Sequence, residues 1–137
     1  MSAHRYLVDT NILLRFLTGD PAAQAAGTRK LFDRAAAGQI VLDVSAVIVA
    51  ETYYTLTSFY GVERKTASEK LSLLLRQHGV KLRDASQTLA ALTLLRSANI
   101  GFADAFLAAG ATEDGVSVAS FDRDFDKLNI PRFEPPL

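Results

Sequence analysis

Four carboxylates, Asp9, Glu51, Asp104 and Asp122, carry the chemistry this sequence could do. Three of them stand alone in apolar surroundings: Asp9 is the only charge between Arg5 and Arg15, Glu51 between Asp43 and Glu63, and Asp104 between Arg96 and Glu113. An ionised carboxylate removed from water without a partner cation is costly. The nearby sequence offers no Lys or Arg in helical register with these acids. The economical expectation is that they meet in space and share a metal ion, which would make the chain an enzyme. Hard oxygen ligands without imidazole or thiolate select Mg²⁺ or Mn²⁺ over zinc, with one or two ions expected and Asp9 and Asp104 the first choices for direct ligands.

Each acid also has an ordinary structural role open to it. Asp9 heads Asp9-Thr-Asn11, a good helix-capping sequence. Asp104 in a first helical turn is favoured by the helix dipole. Asp122 could cap a short last helix. Glu51, on a helix apolar nearly all round, is the hardest to assign to structure alone. Taken together, four such acids favour a site.

The elements that must position them alternate between short β-type runs and helical patterns, the mark of an α/β fold with a mainly parallel sheet. Tyr6–Val8 reads as a strand ending at Asp9. Asp20 caps a helix that enters through Pro21 and runs to about Ala37. Ile40–Leu42 is the next strand, and Ser45 caps a largely buried helix through Glu51 to about Ser58. A stripe at Ala67, Leu71, Leu74 and Leu75 predicts a helix ending near Gln77, and Val80–Leu82 a short strand. Helices follow at about 86–98 and 102–112, then a strand at Gly115–Ser120, a turn or short helix over Phe121–Leu128, and an extended proline-bearing tail. Ligands in such sheets bind outside the carboxyl ends of the strands. Asp9 and Asp122 fall just past strand ends, and Asp104 and Glu51 near helix starts, so all four can reach one crevice.

Composition narrows the remaining choices. A chain of 137 residues, 49% hydrophobic and 22% charged, is the size of one globular domain, here residues 1–137. With no cysteine, disulfides, thiolate zinc sites and cysteine nucleophiles are excluded. No apolar run is long enough for a spanning helix, and no signal peptide is expected before the first strand, so the expected compartment is cytoplasmic. The formal net charge of +0 lends no support to nucleic-acid binding. Its distribution is uneven: residues 61–84 carry Arg64, Lys65, Lys70, Arg76, Lys81 and Arg83, and residues 101–126 carry six acids against Arg123 alone. His4 and His78 show no ligand spacing, no Ser-His-Asp arrangement is supported, and no glycine-rich phosphate loop is complete. Arg15 and Arg123, close in sequence to two of the acids, are candidate phosphate contacts.

Leu7-Val-Asp9-Thr-Asn11 after a first strand, Ala50-Glu51 in a helix, Ala103-Asp104, and Ser120-Phe-Asp122-Arg-Asp124-Phe125 together resemble the PIN-domain nucleases. The match is closest to the VapC-type toxins of bacterial toxin–antitoxin pairs, and it covers essentially the whole chain in order. The resemblance implies a three-layer α/β/α sandwich and Mg²⁺- or Mn²⁺-dependent endoribonuclease activity that leaves a 5′-phosphate and a 3′-hydroxyl. It implies that Asp9, Glu51, Asp104 and Asp122 form the acidic quartet, with Asn11 and Ser120 supporting it, and the family's pattern often has an acid near Asp124. It further implies an RNA substrate, a homodimer, and a cognate antitoxin that wraps the toxin. Two other readings remain. A PIN-like chain could be a catalytically silent interaction module whose acids bind a partner's basic residue. A haloacid-dehalogenase-like phosphatase would want an aspartate where Asn11 stands.

Overall fold

The computed structural model describes residues 3–137. Its sheet begins with β1 (His4–Leu7), β2 (Ile40–Val44) and β3 (Val80–Leu82), hydrogen-bonded in that order and parallel throughout. Parallel neighbours need helical crossovers. α1 (Thr10–Thr18) and α2 (Ala22–Ala36) join β1 to β2, and α3 (Ala46–Ser58) and α4 (Arg64–Leu75) join β2 to β3. α5 (Ala85–Leu95) and α6 (Phe102–Asp114) follow as a packed pair, then β4 (Val118–Ala119), α7 (Asp124–Lys127) and β5 (Arg132–Phe133). β2 carries the layers. Ile40, Leu42 and Val44 are buried on one face and Asp43 on the other, as expected of a central strand sandwiched by helices. The fold is the expected α/β class with a three-layer α/β/α arrangement.

The α3 N-terminus forms as its sequence requires, with Ser45 Oγ accepting from the Ile48 amide at 3.4 Å. Gly79, at φ 87, makes the turn into β3 beside the Ala35 carbonyl, where a Cβ would overlap backbone. Its own carbonyl accepts from Leu42 N at 2.8 Å, so the turn also starts the β2–β3 ladder.

Several expectations need correction. Asp20 does not cap α2; Pro21 occupies the cap position in extended geometry, and no side chain caps that end. Before it, Asp9 opens a separate nine-residue helix, α1, closed by Gly19 in the left-handed region. α3 is not buried all round. Val49, Thr52, Tyr53 and Leu56 face the core, while Val47 is 74% and Tyr54 69% exposed. Apolar composition alone overstated its burial, because one side of α3 has no layer over it. Only two residues of the run at Gly115–Ser120 form β4, which pairs in parallel with β5 rather than joining the first ladder. The tail was expected to be merely extended. It becomes a strand because Val118 N and Ser120 N donate to Pro131 and Phe133 carbonyls.

Leu42 is fully buried at the centre of the sheet and belongs to the main core cluster with Leu13, Leu71 and Leu92. Leu42→Ala is expected to lower unfolding free energy by about 2–5 kcal/mol in urea titration, whereas truncating the exposed Val47 should shift it by less than about 0.5 kcal/mol.

Candidate active site

The parallel ladder sends β1, β2 and β3 out at one edge, and the residues just past their ends are Asp9, Ser45 and Arg83. Asp9 lies two residues past β1 and caps α1, its Oδ1 accepting from the Ile12 amide at 3.1 Å. Thr10, the first residue of α1, donates its hydroxyl to Glu51 Oε2 at 2.9 Å. That bond fixes the Glu51 carboxylate beside the segment that carries Asp9. Glu51 itself is exposed, as are Asp9 and Asp122. The premise that isolated acids must be buried therefore fails for two of the three, Asp9 and Glu51; only Asp104 is partly buried.

Asp104 lies in the first turn of α6. Burial raises its pKa above the usual carboxylate range, and the negative charges of Asp122 and Asp124 raise it further. Those three acids therefore share one electrostatic neighbourhood. Asp122 is held in place by main-chain bonds on both sides: its own amide donates to Ser120 Oγ at 2.9 Å, and its Oδ1 accepts from the Asp124 amide at 2.9 Å. Ser120 thus sits next to the acid it was expected to support. Asn11 is exposed and makes no side-chain hydrogen bond among the described residues.

Arg132 fastens this loop from behind. Its Nη1 donates to the Ser120 carbonyl at 3.1 Å, and its Nε and Nη2 grip Asp126 as a two-pronged pair at 3.1 Å each. The hydrogen bond from Arg132 holds the Asp126 carboxyl below its ordinary range. Thr10 acts on Glu51, 41 positions away, and Arg132 on the Ser120 carbonyl across the β4–β5 pair, so neither role shows in local sequence.

The structure brings the acids together as two groups. Asp9 and Glu51 stand around Thr10, and Asp104, Asp122 and Asp124 stand around the start of α6. Among the described residues, no three His, Asp or Glu side chains close to metal-holding distance. The donor set nevertheless suits a hard divalent cation. Every candidate ligand is a carboxylate oxygen, and Asp104 already carries the like-charge repulsion that a cation would relieve. Of the two arginines expected to contact phosphate, Arg15 is turned away, its Nε donating to Gln24 Oε1 on α2 at 2.8 Å, while Arg123 is exposed at the start of α7.

The PIN-domain family model matches residues 6–131. The chain belongs to the PIN-domain family. Its members are generally nucleases that use divalent metals. No curated protein matches it. Among solved structures, the chain is similar to the one described as the crystal structure of VapBC2 from Rickettsia felis bound to a DNA fragment from their promoter. The two share 17% identity, with a TM-score of 0.39, over 94% of this chain and 97% of that one. No helix among the described residues is long and apolar enough to cross a membrane.

A carboxyl whose folded pKa is raised binds protons more readily in the folded than in the unfolded state. Below the ordinary Asp range of about 3.9 both states are protonated and the penalty vanishes; it grows as pH rises through the folded pKa. Metal-free Asp104→Asn protein should therefore melt higher than wild type at neutral pH, with the gap closing in acid. Partial exposure keeps the gain small, below about 1 kcal/mol. An unchanged or lower melting temperature at neutral pH would contradict the repulsion at the start of α6.

Proposed function

We propose that this chain is a Mg²⁺- or Mn²⁺-dependent endoribonuclease, the toxin of a type II toxin–antitoxin pair. Asp9, Glu51, Asp104 and Asp122 would hold the cation. The observation that carries the reading is the PIN match across residues 6–131, combined with acids from both ends of the chain directed to the strand-end edge and the start of α6.

The chain's own groups divide the work. Asp9 and Asp104 present carboxylate oxygens from two rigid helix starts, and Thr10 fixes the direction of the Glu51 carboxylate. Ser120 and the Asp124 amide orient Asp122. When bound, a divalent cation supplies neutralisation of charge on the scissile phosphate. Water adds to phosphorus in line with the leaving 3′-oxygen, the P–O3′ bond breaks, and the products are a 5′-phosphate and a 3′-hydroxyl. The reading includes a cytoplasmic homodimer with a cognate antitoxin as its protein partner. The catalytically silent module is second.

The deciding experiment is cleavage of total cellular RNA by purified, antitoxin-free protein with Mn²⁺, with Mg²⁺ and with EDTA. Discrete metal-dependent fragments are expected, with Asp9→Asn lowering the rate by at least about 100-fold, in the range of losing one electrostatic catalytic group. Absence of cleavage together with absence of Mn²⁺ binding by calorimetry would overturn the nuclease reading.

A further inference from the structure

Asp43 is a charged residue that the proposed quartet does not use, and its side chain is 1% exposed. It sits near the end of β2 between Arg5 of β1 and Arg83 just past β3. Arg83 Nε donates to Asp43 Oδ1 at 3.0 Å, and Arg5 Nη2 lies 2.8 Å from Oδ2. The Arg5 contact is an ion pair without hydrogen-bond directionality, so Oδ2 keeps unused accepting capacity in the interior. Two guanidiniums against one carboxylate give the clamp an excess of one positive charge, which the neighbouring Asp9 offsets. Both arginine side chains are about half exposed, at 49% for Arg5 and 51% for Arg83.

This clamp opens beside Asp9. A cavity of about 330 Å³ at the strand-end edge is lined by Asp9, Asp43, Ser45 and Arg83, with Leu7, Val8 and Ile48 as its apolar wall. Arg83 is doubly fixed there: its amide donates to the Val44 carbonyl at 3.0 Å, and its Nε is held by Asp43. Its terminal amino groups make no hydrogen bond to another described residue. Ser45 accepts from Ile48 N and retains a hydroxyl proton to donate. A pre-oriented guanidinium fork beside a free hydroxyl is a phosphate-binding arrangement.

We infer that Arg83, anchored by the buried Asp43, binds a backbone phosphate of single-stranded RNA in this cavity, next to the scissile position at Asp9. The inference rests on the ribonuclease reading and assigns to Arg83 the phosphate-contact role expected of Arg15, which is tied to Gln24. Asp43 is a positioning residue: it touches no ligand and sets the direction of the fork.

The test is fluorescence anisotropy of a short labelled single-stranded RNA of mixed sequence, titrated with full-length protein in EDTA over a salt series, where cleavage is suppressed. Arg83→Gln should weaken binding roughly tenfold at low salt and reduce the slope of log K against log salt by about one. Arg83→Lys should recover part of the affinity. Arg29→Gln, the same charge change at an exposed α2 position, should have a much smaller effect. Asp43→Asn separates anchoring from bulk charge: removing a negative charge would tighten binding if only net charge mattered, and loosening is expected if Asp43 aims the fork. Circular dichroism of each variant establishes folding. If Arg83→Gln does not fold, Arg83→Lys compared with Arg29→Gln makes the decision. If Asp43→Asn does not fold, Asp43→Glu, which keeps the charge and displaces the carboxylate, takes its place with loosening expected. Equal affinities for Arg83→Gln and Arg29→Gln, or no RNA binding by the wild type, would overturn the inference. Tighter or unchanged binding by Asp43→Asn would overturn the anchoring role. Metal-dependent RNA cleavage by the same wild-type preparation tells these failures apart from failure of the ribonuclease reading, which would show as no cleavage at all.

Discussion

Asp43 joins all three strands of the main sheet. Its carbonyl accepts from Val8 N at 3.0 Å, continuing the β1 ladder up to Asp9, and its side chain pairs with Arg5 of β1 and with Arg83 just past β3. An ionised carboxylate at that depth is tolerated only because two cations face it; stripping them would leave an uncompensated buried charge. Since both guanidiniums reach solvent, the net stabilisation is modest, and the main effect is on register. A one-residue slip of β1 would turn Arg5 to the other face of the sheet and break the pair. Strand register in turn fixes where Asp9, Ser45 and Arg83 emerge. The edge proposed to be catalytic thus depends on an acid that takes no part in the proposed chemistry.

The acids themselves follow a different logic. Asp9 spends part of its hydrogen-bonding capacity on capping α1, and Asp122 on holding the start of α7. Those bonds fix carboxylates rigidly without burying them, and leave oxygens free for a ligand. Asp104 bears the electrostatic cost, through partial burial and two like-charged neighbours. Like-charge repulsion of this kind is what a bound divalent cation would relieve. Arg132 restrains the opposite side by tying the Ser120 carbonyl to α7 and to the C-terminal strand β5.

Much of this was legible in the sequence because it is local. Ser45 as a cap, Val80–Leu82 as a strand and the α/β alternation all follow from neighbouring residues. The positions of Asp9 just past β1 and of Asp104 in the first turn of α6 follow in the same way. The failures share a cause. Glu51 was expected in a buried helix because α3 is apolar nearly all round, yet exposure depends on whether another layer covers it, and Val47 and Tyr54 show that none does. Asp43 was read only as a charge bounding an apolar run, although a lone acid inside Ile40–Val44 was the signal for a buried ion pair. Arg83 was counted within a basic stretch, Arg132 within an extended tail, and Thr10 within a capping sequence. Each acts on a residue tens of positions away or across a strand pair, information that one-dimensional spacing does not carry.

The central claim is that the two groups of acids serve one cation. Titration of the ¹⁵N-labelled protein with Mn²⁺, following paramagnetic broadening of amide resonances, tests it most directly. If the claim holds, Asp9, Glu51, Asp104 and Asp122 broaden together at the lowest Mn²⁺ additions, while α2 stays sharp. Broadening confined to Asp104, Asp122 and Asp124, with Asp9 and Glu51 unaffected, would contradict it.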